Sequence, residues 1–247
     1  MKKLPLKNKV IVIKKENIIS VLVCMLLLAA AAGAVVRKTS ERLARETFAL
    51  PTSDKIIVID PGHGGIDAGA SDGELKEKEI NLDIALRLQG LIEQSGGTVF
   101  LTRSEDVSTA DKNRDKGITQ KKSDLTERKK LIEKYNADMF ISIHMNKFPV
   151  EKYSGAQVFY NKKSEEGKAL AECVQSAMKN YLDKNNRRSA KGDDSIYVLK
   201  NNNVPSILIE CGFLSNNRES AKLKTDEYRQ KIAWAIFMGL TDYAKNK

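Results

Sequence analysis

The chain holds two histidines in 247 residues, and each stands at the end of a short apolar run. His63 lies in Ile56-Ile57-Val58-Ile59-Asp60-Pro61-Gly62-His63-Gly64-Gly65, and His144 in Met139-Phe140-Ile141-Ser142-Ile143-His144-Met145-Asn146. A third run, Ile207-Leu208-Ile209, ends at Glu210. Imidazoles and carboxylates on rigid strand ends are what a catalytic zinc site needs: three protein ligands, with a fourth position left for water. His63 and His144 supply two. A carboxylate must supply the third, and Glu77-Lys78-Glu79 offers two, fourteen and sixteen residues after His63. The intervening stretch is rich in glycine, which lets the backbone turn back sharply. On a helix Glu77 and Glu79 lie about 200° apart, so only one of them can face a given metal.

Each residue has a plainer use. A histidine after a strand commonly just bonds a carbonyl, but two on separate strand ends, with no third in the chain, favour a shared task. Glu77 in the first turn of a helix favours the helix dipole by about 0.3–1 kcal/mol. Glu210, directly after an apolar run, should be partly buried and therefore needs a partner or a purpose. Cys211 should point opposite to Glu210 and reads as a buried small hydrophobe, with a fourth ligand as the lesser alternative. Cys173 falls on the apolar face of a helix, and two cysteines in an exported body make no disulfide scaffold.

The elements that must position these residues emerge from the hydrophobic pattern. Runs rich in Ile and Val read as buried parallel strands, and ligands bind beyond the carboxyl ends of such strands. Strands are expected near Lys55–Ile59, Thr98–Leu101, Met139–His144, Ala156–Tyr160 (antiparallel, near an edge), Ile196–Leu199 and up to Glu210. Helices are expected over Glu77–Ser95, from an Asp124 cap to Asn136, over Ser164–Leu182 and over Asp226–Ala244. Residues 104–123 and 183–194 read as polar loops. The alternation predicts an α/β fold: one domain over residues 54–247, with a mostly parallel twisted sheet of about six strands and helices on both faces. It shows no internal repeat and no separate binding module.

The formal charge of +10 is concentrated at the N-terminus. Residues 1–45 carry ten Lys/Arg against two acids, while the rest carries 32 against 30. A nearly neutral body excludes a nucleic-acid footprint. The basic arm, residues 1–17, precedes an uncharged segment, Ile18–Val36, whose nineteen residues span roughly 28 Å as a helix, close to a bilayer core. Six lysines before it keep the arm in the cytoplasm and export the remainder of the chain. An uncleaved transmembrane anchor is the leading reading and a cleaved signal sequence the alternative. Cys24 reads as an apolar membrane residue, and residues 37–53 as a linker.

Four blocks together resemble the signatures of family 3 zinc-dependent N-acetylmuramoyl-L-alanine amidases. They are Asp60-Pro61-Gly62-His63-Gly64-Gly65, Glu77-Lys78-Glu79-Ile80-Asn81-Leu82, Ser142-Ile143-His144-Met145-Asn146 and Glu210-Cys211-Gly212-Phe213-Leu214-Ser215-Asn216. They occur in the family's order, and the resemblance covers about residues 55–245. It implies Zn2+ held by His63, Glu77 and His144, with Glu77 favoured over Glu79, and Glu210 as the catalytic carboxylate. Arg103 and Arg128 match two family arginines expected to anchor structure or loops. Asn81, one turn after Glu77, is expected behind the ligands, with a helix-surface position as its plainer use, and Asn146 is expected either to orient His144 or touch substrate or, equally, to cap a loop. The implied reaction is hydrolysis of the amide between N-acetylmuramic acid and L-alanine, with Glu210 moving the proton from water to the leaving amine. The implied partners are peptidoglycan strands with stem peptides, the membrane, and an activating or positioning protein. One catalytic domain behind one anchor resembles the spore-cortex, germination-specific type, which acts outside the cytoplasm. Rival readings are a zinc peptidase cutting within the stem peptide and a non-catalytic wall-binding domain.

Overall fold

β-Branched residues are stiff at χ1 and pack well on a pleated surface, so the Ile- and Val-rich runs fold as strands. The computed structural model describes residues 15–48, 50–73 and 75–247. In chain order its elements are α1 (Lys15–Phe48), β1 (Ile56–Pro61), β2 (Ser71–Asp72), β3 (Leu75–Lys76), α2 (Glu77–Gln94), β4 (Thr98–Leu101), α3 (Gln120–Lys134), β5 (Met139–Asn146), β6 (Gln157–Tyr160), α4 (Glu165–Tyr181), β7 (Lys191–Gly192), β8 (Ser206–Phe213), α5 (Asn217–Leu223) and α6 (Asp226–Lys245).

Among the described residues the main sheet has six strands in the order β4-β1-β5-β8-β6-β7. β4, β1, β5 and β8 run parallel, so their carboxyl ends share one edge. β6 joins β8 antiparallel and β7 pairs with β6. Register decides what meets at that edge: Pro61 pairs with Ile143, and His144 pairs with Glu210.

Alternate residues of each strand enter opposite layers. Ile57, Ile59, Ile141, Ile143, Ile207 and Ile209 join a core that includes Ile84 and Leu88 of α2, Leu170 and Val174 of α4, and Ile236 and Leu240 of α6. Val58, Phe140 and Leu208 face the other way, against Ile132 of α3 and Val198 and Leu199. Burying each such side chain contributes about 1.5–3 kcal/mol. The central strands are thus clamped from both faces and offer a rigid edge.

Several elements differ from the sequence reading. α3 begins at Gln120, where the Thr119 side chain accepts from Lys122 N, so Asp124 is inside the helix rather than its cap. The Asp124 carboxylate is taken by Thr109 N and Arg128 Nε. Ile196–Leu199 is not a strand. Tyr197–Leu199 forms a 3-10 turn, and a short apolar run is equally compatible with a turn whose Val198 and Leu199 are buried. The sixth strand lies instead within the expected loop 183–194, as β7. The β2–β3 hairpin and α5 have no counterpart in the sequence reading. Asn216, which caps α5 by accepting from Arg218 N and Glu219 N, sits three residues before Glu219 and could have signalled it.

The chain divides into two units, residues 1–49 and 50–247. In the first, Leu22–Ser40 is apolar and long enough to cross a membrane. The helix continues through residues 37–48, where a linker is expected, because neither glycine nor proline interrupts the sequence there. Residues 1–14 of the expected basic arm lie outside the described residues.

Candidate metal centre

β1 ends at Pro61, and the chain must turn at once to bring His63 back over the sheet edge. Gly62 N donates to Ile143 O across 2.9 Å. A Cβ on Gly62 would fall 2.2–2.7 Å from the ring atoms of His144, so that ring occupies the space a side chain would fill. His63 itself has φ 62°, an unfavoured conformation for a residue with a Cβ. Two buried guanidiniums hold it there. Arg103 Nε donates to His63 O at 2.6 Å and Arg128 Nη2 to the same oxygen at 2.7 Å. Arg103 also donates to the carbonyls of Gly62, Lys78 and Glu105. Arg128 donates to Asp60 at 2.6 Å and to Asp124 at 2.6 Å. Both arginines therefore tie down the loop that carries His63.

The charges beneath the loop are balanced. Burial works to raise the Asp60 pKa, but Arg128 and the hydroxyls of Ser142 and Thr102 outweigh it and hold the carboxyl below its ordinary value. Burial and the neighbouring Arg128 lower Arg103 to about 10, still cationic at neutral pH. A lowered carboxyl pKa contributes stability that is present above the unfolded value and lost as pH falls through the folded one. Asp60→Asn should therefore cost about 3 kcal/mol at pH 7, with the gap to wild type closing only in acid below about pH 4. Urea melts from neutral pH into that acid range check this.

The ligand atoms converge on Glu77. Its Oε1 lies 3.0 Å from His144 Nδ1 and 3.2 Å from His63 Nε2. The same oxygen accepts from Met145 N at 3.0 Å, and Oε2 accepts from Ala70 N at 2.7 Å. Burial favours protonation of Glu77, but hydrogen bonds and charge from the two imidazoles outweigh it and hold the carboxyl well below its usual range. Glu79 is exposed and pairs with Lys76, away from the histidines. Asp67, which the sequence reading missed, lies 2.9 Å from His63 Nδ1 and leaves Nε2 facing Glu77. An acidic residue four positions after the histidine, within the glycine-rich loop, was the available signal.

His63, Glu77 and His144 are the described residues that could hold a metal, their ligand atoms all within 4.8 Å of one another. Two of the spacings, 3.0 and 3.2 Å, approach the ~3.4 Å edge of a tetrahedron with zinc bonds of about 2.0–2.1 Å. Two nitrogens and one carboxylate oxygen are a catalytic donor set with one position open, so the residues fit zinc. Asn81 Nδ2, 3.2 Å from Gly62 O and 3.4 Å from Glu77 Oε1, braces ligand and loop together. Asn146 holds the next turn through its backbone, its carbonyl accepting from Leu214 N. Cys211 is buried in the core, outside the ligand cluster.

Glu210 stands on β8 in register with His144. Its Oε2 is buried and has no hydrogen-bond partner. Burial pushes its pKa up to about 7, and the Glu77 carboxylate adds to this against the pull of the imidazoles. A cleft of about 430 Å³ reaches both histidines from the side of α3. Because Gly62 leaves room for the His144 ring, Gly62→Ala should lower zinc affinity by about tenfold or more, readable by metal titration.

The profile of a protein family described as N-acetylmuramoyl-L-alanine amidase matches residues 57–242. The chain is 40% identical over 201 residues to the germination-specific N-acetylmuramoyl-L-alanine amidase of Bacillus subtilis, spanning 81% of this chain and 84% of that protein. It is 33% identical over 195 residues to the N-acetylmuramoyl-L-alanine amidase LytC of the same organism, a match that covers 78% of this chain but 36% of LytC. Among solved structures, the CwlD amidase of Clostridioides difficile in complex with the GerS lipoprotein superposes with a TM-score of 0.75 at 47% identity, over 78% of this chain and 100% of that one.

Proposed function

This chain belongs to the N-acetylmuramoyl-L-alanine amidase family, and on that premise we propose that His63, Glu77 and His144 hold zinc while Glu210 serves hydrolysis of the amide joining N-acetylmuramic acid to L-alanine. The observation that carries this reading is the unpartnered carboxylate oxygen of Glu210, buried beside a two-histidine, one-carboxylate cluster. A bound zinc is a Lewis acid that acidifies water toward a pKa of about 7 and polarises the scissile carbonyl. The rest falls to the chain's own side chains. Glu210 accepts the proton of the attacking water and delivers it to the departing amine of L-alanine. Asp67 orients His63, and Arg103 and Arg128 fix the backbone that carries it.

The biological setting we propose is removal of stem peptides from spore-cortex peptidoglycan. It is supported by 40% identity to a germination-specific amidase of which this chain spans 84%. Leu22–Ser40 would anchor the catalytic unit at the membrane, outside the cytoplasm. A lipoprotein is a fitting partner, since a similar amidase was solved in complex with one. The full chain in detergent, supplied with zinc and cortex-type peptidoglycan, should release stem peptides with L-alanine amino termini and leave free muramic lactyl carboxylates. New D-amino-acid termini would instead make it a peptidase. No cleavage by zinc-loaded protein, with or without such a lipoprotein, would leave a wall-binding role.

A further inference from the structure

Charge is unevenly distributed in the cleft beside the metal centre. Its floor includes His63 and His144, one wall is the loop at Ile66 and Asp67, and the other is α3 at Lys121 and Leu125. Its carboxylates are committed: Asp67 to His63, and both Asp60 and Asp124 to Arg128. Arg128 is buried, and its nitrogens are taken up by those acids and by the carbonyls of Pro61 and His63. Lys121 is different. It is exposed, it lines the cleft, and among the described residues its ammonium makes no hydrogen bond or ion pair. It lines the same cleft as His63, Asp67 and His144, on the wall that faces the Ile66–Asp67 loop. Ile66 (83% exposed) and the partly buried Leu125 add apolar surface beside it.

Resting on the amidase reading, we propose that this cleft seats the stem peptide rather than the glycan, and that Lys121 sets specificity by pairing with a free carboxylate in the peptide's first residues. The chemistry of the polymer supports the assignment. N-acetylated sugars are neutral, and the lactyl carboxyl of muramic acid is tied up in the scissile amide. The stem peptide carries the free carboxylates, the nearest being the α-carboxylate of a γ-linked glutamyl residue after L-alanine. Ile66 and Leu125 would take the alanyl methyl and the glutamyl methylenes.

Two muramoyl dipeptides test this, one with the glutamyl α-carboxylate free and one with it amidated. Zinc-loaded full-length chain in detergent should favour the free carboxylate about fivefold in kcat/KM, carried by KM, as expected for one solvent-facing ion pair. Lys121→Met should bring the ratio near one, Lys121→Glu should invert it and Lys121→Arg should keep it, all with unchanged zinc content. An unchanged ratio in Lys121→Met overturns the proposal. So does an equal loss on both substrates, and so does loss of zinc, which would assign Lys121 to supporting Asp67. If the wild type cleaves neither dipeptide, the amidase reading is decided by the peptidoglycan assay described above, and the Lys121 contact by binding. Affinities of the two compounds for Glu210→Gln, with and without Lys121→Met, then decide the Lys121 contact by binding alone: a preference that vanishes with Lys121 upholds it, and equal affinities sink it.

Discussion

Glu210→Gln is expected to keep its zinc and its fold while turnover falls by about 10²–10⁴. Glutamine fills the same volume and still accepts a hydrogen bond, but it cannot take a proton from water or hand one to a leaving amine. The residues proposed to hold the metal are His63, Glu77 and His144, so metal content should match wild type. The position is also exacting. Glu210 is placed by the His144–Glu210 register of two parallel strands that are packed on both faces, so the carboxylate cannot drift. Single-turnover assays beside zinc analysis check both halves. A variant that turns over like wild type removes Glu210 from the chemistry, and one that loses zinc makes it a metal-supporting residue instead.

The second large effect concerns the metal itself. His63→Ala should fail to retain zinc through purification and should lack amidase activity, since two remaining ligands form no stable catalytic site. Chelation of the wild type should abolish activity, and added zinc should restore it. Asp67→Asn offers the graded case. It keeps all three ligands but weakens the acceptor that fixes the His63 ring, and zinc affinity should fall about 10- to 100-fold. Competition with a zinc chromophore measures each. Zinc should also raise the melting temperature of the wild type, because it binds the folded state alone, and should leave His63→Ala unmoved. Equal zinc affinity in wild type and His63→Ala would contradict the ligand assignment.

The sheet and its chemistry-bearing edge were legible because they depend on local signals. Apolar runs marked the three central strands, and a polar, chemically capable residue followed within a few positions of each. Glu77 and Glu79 could not be separated by periodicity alone. What separates them in the structure is that α2 begins at Glu77, turning it inward beneath the histidines while Glu79 faces solvent. Contacts across long sequence distances were beyond reach. That Arg103 and Arg128 meet on one carbonyl, or that Asp124 ties Thr109 rather than capping a helix, depends on tertiary placement. The same holds for β7, a two-residue strand that exists because β6 offers it an open side.

The shared grip on the His63 carbonyl has a mechanical consequence. Arg128 rides on the helix that also presents Lys121 and Leu125, so the wall of the cleft and the loop bearing His63 are fastened to each other. A ligand that shoulders this helix aside would tug on His63 through one guanidinium, and whatever steadies the helix steadies the imidazole as well.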